Sequence, residues 1–287
     1  MHMNINDLIK TLRGMTQAPI SECQKALKEC NGDLNKAAEF LKKSGAAILS
    51  KNADRATKEG IICLSMTSDR KKAVLVRIQC ETDFVARSEA FLKGSSQIAS
   101  IILTKEPSDS IDEILEYTNN GVSVRNILEE LAASLRENIV VGKVTSISTN
   151  SGRLHKYIHG AMGTDCGTIC SVVAIDSDIE SDAIELLGKN IAMHIAATSP
   201  ISVDIESIPA DFIAKEEATA IEEAKKAGKP ESIIQKIVTG RMQKIYEESV
   251  LLEQKFIVDN SKKISEILSE IEGKVKVTKF VRMQLKE

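Results

Sequence analysis

Apolar residues near the start of the chain recur at the i, i+3, i+4, i+7 spacing that places them on one face of a helix. Three such stripes follow one another, over residues 5–12, 23–30 and 34–41. Polar residues fill the positions between them, so each segment is predicted to be a short amphipathic helix. The pattern therefore predicts a three-helix module at the beginning of the chain.

The residues between the stripes predict where these helices begin and end. The Asn-Gly pair at 31–32 favours the left-handed backbone that stops a helix, and Asp33 is a good N-cap for the next one. The Ser-Gly pair at 44–45 is expected to end the third helix. We assign this module to residues 1–57, a length at which a helical bundle is only marginally stable alone.

Beyond a polar stretch, the period changes to the alternation of β-strands. The segments at 61–67 and 73–80 are rich in β-branched residues and are separated by the turn-forming sequence SDRKK, which predicts a β-hairpin. The second strand is expected to place alternate side chains on opposite faces: Val74, Val76, Ile78 and Cys80 on one, Arg77 and Gln79 on the other.

The rest of the chain repeats this order of elements. Helices near 88–104 and 124–137 and a strand within 138–147 complete a first unit, residues 58–148. A second unit, residues 149–287, is predicted to contain a hairpin at 156–163 and 168–176, a helix at 183–198 and a strand at 277–285. The fold class is therefore α+β, and the repeated order indicates two related subdomains.

The second unit is interrupted at 209–247 by two strongly helical segments with few large apolar residues. Gly228 is expected to close the first helix and Pro230 to open the second. The short connection makes the helices antiparallel neighbours, and their small apolar area predicts an arm that projects from the body. Five residues are predicted to form its seam: Ile213, Ile221, Ile234, Ile237 and Ile245.

Composition restricts the class of protein. Hydrophobic residues make up 43% and charged residues 28%, as in ordinary globular proteins. A net charge of -3 and an aromatic content of 3% disfavour direct nucleic-acid binding, since there is no positive field and few rings for base stacking. No apolar stretch approaches the ~20 residues that cross a bilayer, and the start does not resemble a signal peptide, so we expect a cytoplasmic protein without membrane contact.

The six cysteines are expected to be buried and reduced. No CxxC pair occurs, and Cys166 and Cys170 have no further soft ligands nearby, so a metal site is not expected. Cys80 in partnership with a histidine remains an alternative as a catalytic dyad. However, the strand pattern turns Cys80 inward, where burial raises the pKa of a thiol.

The histidines suggest different roles. His194 lies on an apolar helix and is predicted to be a core residue hydrogen-bonded to a carbonyl. His159 precedes a glycine at a strand end, a position suited to contact with a partner. Neither GxxxxGK[ST] nor GxGxxG occurs, so the chain is not expected to hold a nucleotide itself. We expect no catalytic residues, metal or cofactor.

The segment Thr82–Val85, with the sequence TDFV, stands at the end of the second predicted strand. An apolar ring at such a position has two interpretations. In the first, Phe84 folds back onto the helix that begins near Ser88, as an ordinary core contact. Alternatively, Phe84 is a wedge that buries itself in a partner, where the carboxylate of Asp83 competes for hydrogen bonds or for a cation.

Several motifs together resemble the bacterial elongation factor Ts family over nearly the whole chain. They are LRGMTQAPISECQKAL and NGDLNKAAEFLKKSG in the first module, then CETDFVAR, YIHG, NIAMHIAATSP and GKPESIIQKIVTGRM. The resemblance implies a ubiquitin-associated-like three-helix module, two related α+β subdomains and an inserted helical hairpin. It also implies a guanine-nucleotide exchange factor for elongation factor Tu that carries out no bond chemistry of its own.

The resemblance further implies which residues contact elongation factor Tu. Arg13, Ile20 and Ser21 would dock on the nucleotide-binding domain of the partner. Thr82, Asp83, Phe84 and Val85 would enter near its magnesium site, and His159 and Gly160 would hold its third domain. This chain has Pro19-Ile20-Ser21 where the family often has Gly-Met-Met, so Ser21 is expected to bury less surface.

Two other functions remain as alternatives, and one feature of the complex stays open. A ubiquitin-type adaptor would bind through residues 1–50 alone, and a cysteine- or histidine-dependent enzyme would need no partner protein. Neither accounts for the arm and the strand-end ring together. The arm also leaves open a dimer of heterodimers.

Overall fold

The computed structural model describes residues 4–16, 18–106, 108–179 and 181–286. It contains both helices and strands, so the predicted mixture of α and β structure is confirmed. Among the described helices, none combines the length and the apolar character that a membrane span requires.

Three helices form the beginning of the chain: α1 (Ile5–Thr16), α2 (Ile20–Glu29) and α3 (Leu34–Asn52). The predicted boundary between α2 and α3 is confirmed, because Asn31 and Gly32 have φ angles of 50° and 80°. The Asp33 carboxylate accepts hydrogen bonds from the backbone N–H groups of the first turn of α3. The helices bury one small core: Leu12, Ala18, Cys23, Ala26, Leu27, Ala37 and Leu41.

The prediction that residues 44–45 end the third helix is wrong, because α3 continues through Gly45 to Asn52. Gly45 is buried, and a Cβ atom there would lie 1.9 Å from the carbonyl oxygen of Glu129. This glycine therefore permits close approach of a later helix rather than a stop. The last turns of α3 lie on the body of the protein, where Leu49 packs on the main core.

The next elements form the first sheet and its helices. They are β1 (Glu59–Met66), β2 (Lys72–Cys80), α4 (Asp83–Ala86), α5 (Glu89–Leu103), α6 (Ile111–Leu115), β3 (Thr118–Asn119), β4 (Val122–Ser123), α7 (Val124–Leu135) and β5 (Val140–Ser148). The predicted hairpin, the two longer helices and the third strand are confirmed. The short elements α4, α6, β3 and β4 were not predicted.

The remaining elements are β6 (Arg153–His159), β7 (Cys166–Gly167), β8 (Ile169–Ser177), α8 (Asp182–Thr198), α9 (Ala210–Lys226), α10 (Glu231–Ser249), α11 (Ile264–Ser269) and β9 (Val275–Gln284). Short 3₁₀ turns occur at Ile205–Ser207 and Leu251–Glu253. The predicted hairpin, long helix and final strand of this part are confirmed.

The strands form two larger antiparallel sheets, with the orders β5-β2-β1-β7 and β6-β8-β9, and β3 pairs with β4 separately. The short strand β7 pairs with β1, so a residue pair from the second half of the chain completes the first sheet. Alternation along each strand gives both sheets two apolar faces. One face of each sheet contributes to a shared core: Ile62, Leu64, Leu75, Leu154, Val172 and Met283 are among its members.

The outer face of each sheet is covered by helices. Val74, Val76 and Ile78 of β2 share a core with apolar residues of α5 and α7. Val173 and Ile175 of β8 share a different core with α8 and α11. The body therefore consists of four layers, in the order helix, sheet, sheet, helix.

The prediction that all six cysteines are reduced is wrong for two of them. Cys63 of β1 and Cys166 of β7 form a disulfide. They are direct partners in the antiparallel register, with Cα atoms 4.2 Å apart, so the pairing of β1 with β7 brings their side chains together. The other four are free, and of these Cys23, Cys80 and Cys170 are buried.

Helices α9 and α10 form the predicted arm, and Gly228 between them has a φ of 67°. Its seam buries two alanines and three larger apolar residues: Ala220, Ala224, Ile234, Val238 and Met242. Three of the predicted seam residues lie at its margin as partly buried side chains: Ile213, Ile221 and Ile245. The assignment of Ile237 to the seam is wrong, because its side chain is exposed on the outer face of α10.

Candidate partner-binding surface

Phe84 is exposed. Strand β2 ends at Cys80, and Thr82 caps the single helical turn α4 by accepting a hydrogen bond from the N–H of Val85 at 3.3 Å. This turn buries Ala86 and leaves Phe84 with 83% of its surface accessible. The interpretation in which Phe84 folds back as a core contact is therefore wrong. The ring is carried by a helical turn, not by the strand itself.

His159 and Gly160 stand at the end of β6, and both are exposed. The His159 carbonyl accepts hydrogen bonds from the Thr168 N–H at 2.9 Å and hydroxyl at 3.2 Å. Gly160 has a φ of 60°, and a Cβ atom there would lie 2.4 Å from the Thr168 hydroxyl oxygen. This tight turn requires glycine and presents the imidazole of His159 at the surface.

A groove of about 360 Å³ brings these two segments together. Asp83 and Arg87 line one part of it, and Met162 and Thr168 line another. Neither Phe84 nor His159 lines this groove. Asp83 precedes Phe84 in the chain and Thr168 is hydrogen-bonded to His159, so the two turns lie at the borders of the groove. The β1–β7 pairing positions the two walls, because β7 directly precedes Thr168.

The predicted residues of the three-helix module lie where α1 ends and α2 begins. Arg13, Ile20 and Ser21 are all exposed there, and 55% of the surface of Ile20 is accessible. Met15, which the sequence reasoning missed, lies in the last turn of α1 and is 57% accessible. None of these residues lines the groove that contains Asp83. The structure therefore places them on a second exposed surface.

Comparison with known proteins identifies the family. The model of the family described as Elongation factor TS matches residues 81–287. The chain is 37% identical to elongation factor Ts of Chloroherpeton thalassium over 97% of each chain. It is 38% identical to elongation factor Ts of Aquifex aeolicus over 96% of each chain, and 36% identical to that of Gluconobacter oxydans over 98% of this chain and 91% of the relative.

This chain belongs to the elongation factor Ts family. The family model begins at Glu81 and so includes the Phe84 turn and the His159 turn, together with the arm. The full-length relatives extend the similarity across the three-helix module. The chain is thus related to translation elongation factors over nearly its whole length.

His194 is a core residue in this member of the elongation factor Ts family, as predicted. Its side chain is fully buried, and its Nε2 lies 2.8 Å from the side-chain oxygen of Gln254. Burial lowers the pKa of His194, an effect that the hydrogen bond to Gln254 partly offsets.

Cys80 points inward, which confirms the strand pattern. Burial, together with the nearby Glu137 carboxylate, raises the pKa of the Cys80 thiol to about 12. Its Sγ lies 3.2 Å from the carbonyl oxygen of Thr82, which accepts the thiol hydrogen. A thiol in this state is a poor nucleophile, so the geometry opposes the alternative of a cysteine-dependent enzyme.

The sequence reasoning missed a cluster of charged residues at the other end of the sheets. The Arg70 guanidinium donates two hydrogen bonds to Glu185, at 2.5 and 2.7 Å, and so ties the β1–β2 turn to α8. His155, buried beside them, lies 3.6 Å from the same carboxylate. Since Arg70 and Glu185 are 115 positions apart, no local spacing indicates this pairing.

Proposed function

We propose that this chain is a guanine-nucleotide exchange factor that promotes the release of GDP from elongation factor Tu. Membership of the elongation factor Ts family supports the partner and the process. The exposure of Phe84 supports the mechanism, because an apolar ring 83% accessible in the free protein has its binding surface available. This single observation carries the proposed wedge.

The wedge acts on the way in which a GTPase holds its nucleotide. Such a partner binds the phosphates through backbone amides, a lysine and a magnesium ion. Burial of Phe84 in a pocket of the partner would contribute ~1.5–3 kcal/mol. Asp83, on the same helical turn, then brings a carboxylate close to the magnesium-binding segments. The hydrogen bond from the N–H of Val85 to the Thr82 hydroxyl oxygen stabilises this turn.

Docking at two further surfaces supplies the remaining binding energy. Arg13, Ile20 and Ser21 would contact the nucleotide-binding domain of elongation factor Tu, and His159 with Gly160 would contact its third domain. Several contacts that each contribute modestly can together displace the metal-binding segments, provided that they are stronger in the nucleotide-free partner. The Phe84 wedge is then one of three contacts that together favour the nucleotide-free conformation of the partner.

Thermodynamic linkage makes this cycle catalytic. When this chain binds, it lowers the affinity of elongation factor Tu for GDP by a certain factor. Bound GDP must lower the affinity of elongation factor Tu for this chain by the same factor. The complex is therefore tight without nucleotide and weak with it, so one molecule can act repeatedly. No bond is made or broken by the exchange factor.

The proposal includes the domain organisation that the family resemblance implies. Residues 1–57 form a ubiquitin-associated-like docking module, and residues 58–148 and 149–287 form two related subdomains. The segment 209–247 is an inserted hairpin that a dimer of heterodimers could use. The proposed site of action is the cytoplasm, with no direct contact to nucleic acid or membrane.

The test is the release of a fluorescent GDP analogue from elongation factor Tu in the presence of excess unlabelled GDP. We expect the purified chain, at concentrations well below that of the GTPase, to accelerate the loss of fluorescence. An unrelated acidic protein at the same concentration serves as the control. An unchanged release rate with the folded chain would contradict the proposed function.

A further inference from the structure

The backbone that carries the Phe84 turn is held by one carboxylate, Glu137. Its Oε2 accepts hydrogen bonds from the N–H groups of Glu81 at 2.9 Å and Thr82 at 3.1 Å. Its Oε1 accepts a third hydrogen bond from the Thr82 hydroxyl at 2.6 Å. All three donors lie within the two residues that precede α4, so Glu137 fixes the point from which the turn begins.

The residues on either side of Glu137 connect the same point to other parts of the protein. Arg136 forms an ion pair with Glu22 of α2, next to the predicted docking residue Ser21. Asn138 donates its backbone N–H to the Glu81 carboxylate at 2.7 Å, and its side-chain amide donates to the carbonyl of Arg55 at 3.2 Å. Arg136 thus contacts the three-helix module, and Glu137 contacts the residues that precede α4. Asn138 contacts both Glu81 and the connection between the module and β1.

The segment 136–138 is itself firmly placed. Helix α7 ends at Leu135, and Arg136 adopts the left-handed conformation with a φ of 64°, so its N–H bonds back to Ala132. Asn138 is buried, and Ile139, which follows it, is fully buried in the main core. Both sides of the segment are therefore anchored, and the backbone of Glu137 is held to the body.

We propose that Glu137 is a positioning residue for the Phe84 wedge, and that Arg136–Asn138 couple the wedge to the docking surface of the three-helix module. This inference rests on the proposed function. A four-residue helix has too few internal hydrogen bonds to hold its own geometry, so an external anchor determines where Asp83 and Phe84 point. Hydrogen bonds to a carboxylate are stronger than neutral ones and suit this role.

Substitution of Glu137 separates positioning from folding. Glu137→Ala removes all three acceptor contacts, and we expect stimulated GDP release to fall by about tenfold or more, as for the loss of hydrogen bonds to a charged group. Glu137→Gln keeps an acceptor for the backbone N–H groups and an amide that can bond the Thr82 oxygen, so it should restore most of the rate. The matched control is Glu116→Ala, which removes an exposed carboxylate paired with Arg125 away from the turn.

A double-mutant cycle shows whether Glu137 acts through the wedge. In a background that carries both Asp83→Ala and Phe84→Ala, Glu137→Ala should change the rate by less than about twofold, because neither functional side chain is left to position. Thr82→Val tests the same contact from the donor residue, and it also removes the oxygen that caps α4. We expect its rate to fall at least as far as that of Glu137→Ala, because both the anchor and the cap are lost.

The outcomes distinguish this inference from the proposed function. If the wild-type chain does not accelerate GDP release, the proposed function fails. If the wild type is active and folded Glu137→Ala has the same rate, or loses its rate equally with and without the side chains of Asp83 and Phe84, the positioning role is overturned. If Glu137→Ala does not fold, the rate of folded Thr82→Val is measured instead, and an unchanged rate for that variant overturns the positioning role.

Discussion

The imidazole of His194 on α8 is joined to Gln254, which follows the arm, through a contact of 2.8 Å between Nε2 and the side-chain oxygen. Nδ1 of His194 accepts a hydrogen bond from the N–H of Ile257 at 3.3 Å, so the neutral ring carries its proton on Nε2. The Gln254 side chain also donates to the carbonyl of Glu248 at the end of α10, at 2.6 Å. A buried neutral histidine thus attaches the base of the arm to the body.

This arrangement predicts a dependence of stability on pH. Burial holds the pKa of His194 below its value in the unfolded chain, which is about 6.5. Above that pH both states are neutral and the histidine has no effect. As the pH falls below it, the unfolded state binds the proton first, so the free energy of unfolding decreases. Urea unfolding at pH 7.5, 6.5 and 5.5 measures this decrease.

A His194→Gln variant provides the comparison for that experiment. Its free energy of unfolding should fall less steeply between pH 6.5 and 5.5 than that of the wild type. Part of the slope should remain, because burial lowers the pKa of His155 in the same direction. Identical slopes for the variant and the wild type would show that His194 is not buried as a neutral ring.

Two helical glycines are predicted to respond to alanine in opposite ways. A methyl group at Gly45 meets the backbone of Glu129 at 1.9 Å, whereas one at Gly240 meets nothing within 4 Å. Gly45→Ala should therefore lower the free energy of unfolding by roughly 1–3 kcal/mol or more, as overpacking does. Gly240→Ala, within α10, should raise it by up to about 1 kcal/mol through helix propensity. Thermal unfolding of both variants tests the pair, and destabilisation by both would contradict it.

Gly45 also shows what the sequence determines and what it does not. The apolar period of α3 is visible in the sequence, and Asp33 marks its start, because both are local signals. The role of Gly45 depends on Glu129, a residue 84 positions away along the chain, so the same glycine resembles a helix stop when only its neighbours are known. Periodicity likewise predicted the strands of both sheets but not that β7 completes the first.

The disulfide between Cys63 and Cys166 predicts an effect of reduction. It closes a loop with a sequence separation of 103, so its loss should lower the free energy of unfolding by about 2–4 kcal/mol. Thiol counting under denaturing conditions should find four free cysteines before reduction and six afterwards. Cys30→Ser removes a free cysteine and should leave the effect of reduction unchanged. Six free thiols in the untreated protein would contradict the pairing.

The candidate surface was predictable to a similar extent. Phe84 and His159 are identifiable from the sequence, because a ring or an imidazole beside a strand end is unusual in its local context. Sequence alone left the exposure of Phe84 undecided between two interpretations, since exposure depends on how α4 sits against the sheet. Glu137 gave no signal at all, because a glutamate after a helix is usually a solvated residue, and only the fold brings it to Thr82.

The most direct test of the account compares the wild type with Phe84→Ala in stimulated GDP release from elongation factor Tu. We expect the rate to fall by more than about tenfold, because the variant lacks the ring that is buried in the partner during exchange. The melting temperature should stay the same, because Phe84 is exposed in the free chain. Leu186→Ala, which removes an exposed apolar side chain from α8, should change neither quantity. A lower melting temperature for Phe84→Ala, with an unchanged rate per folded molecule, would contradict the account.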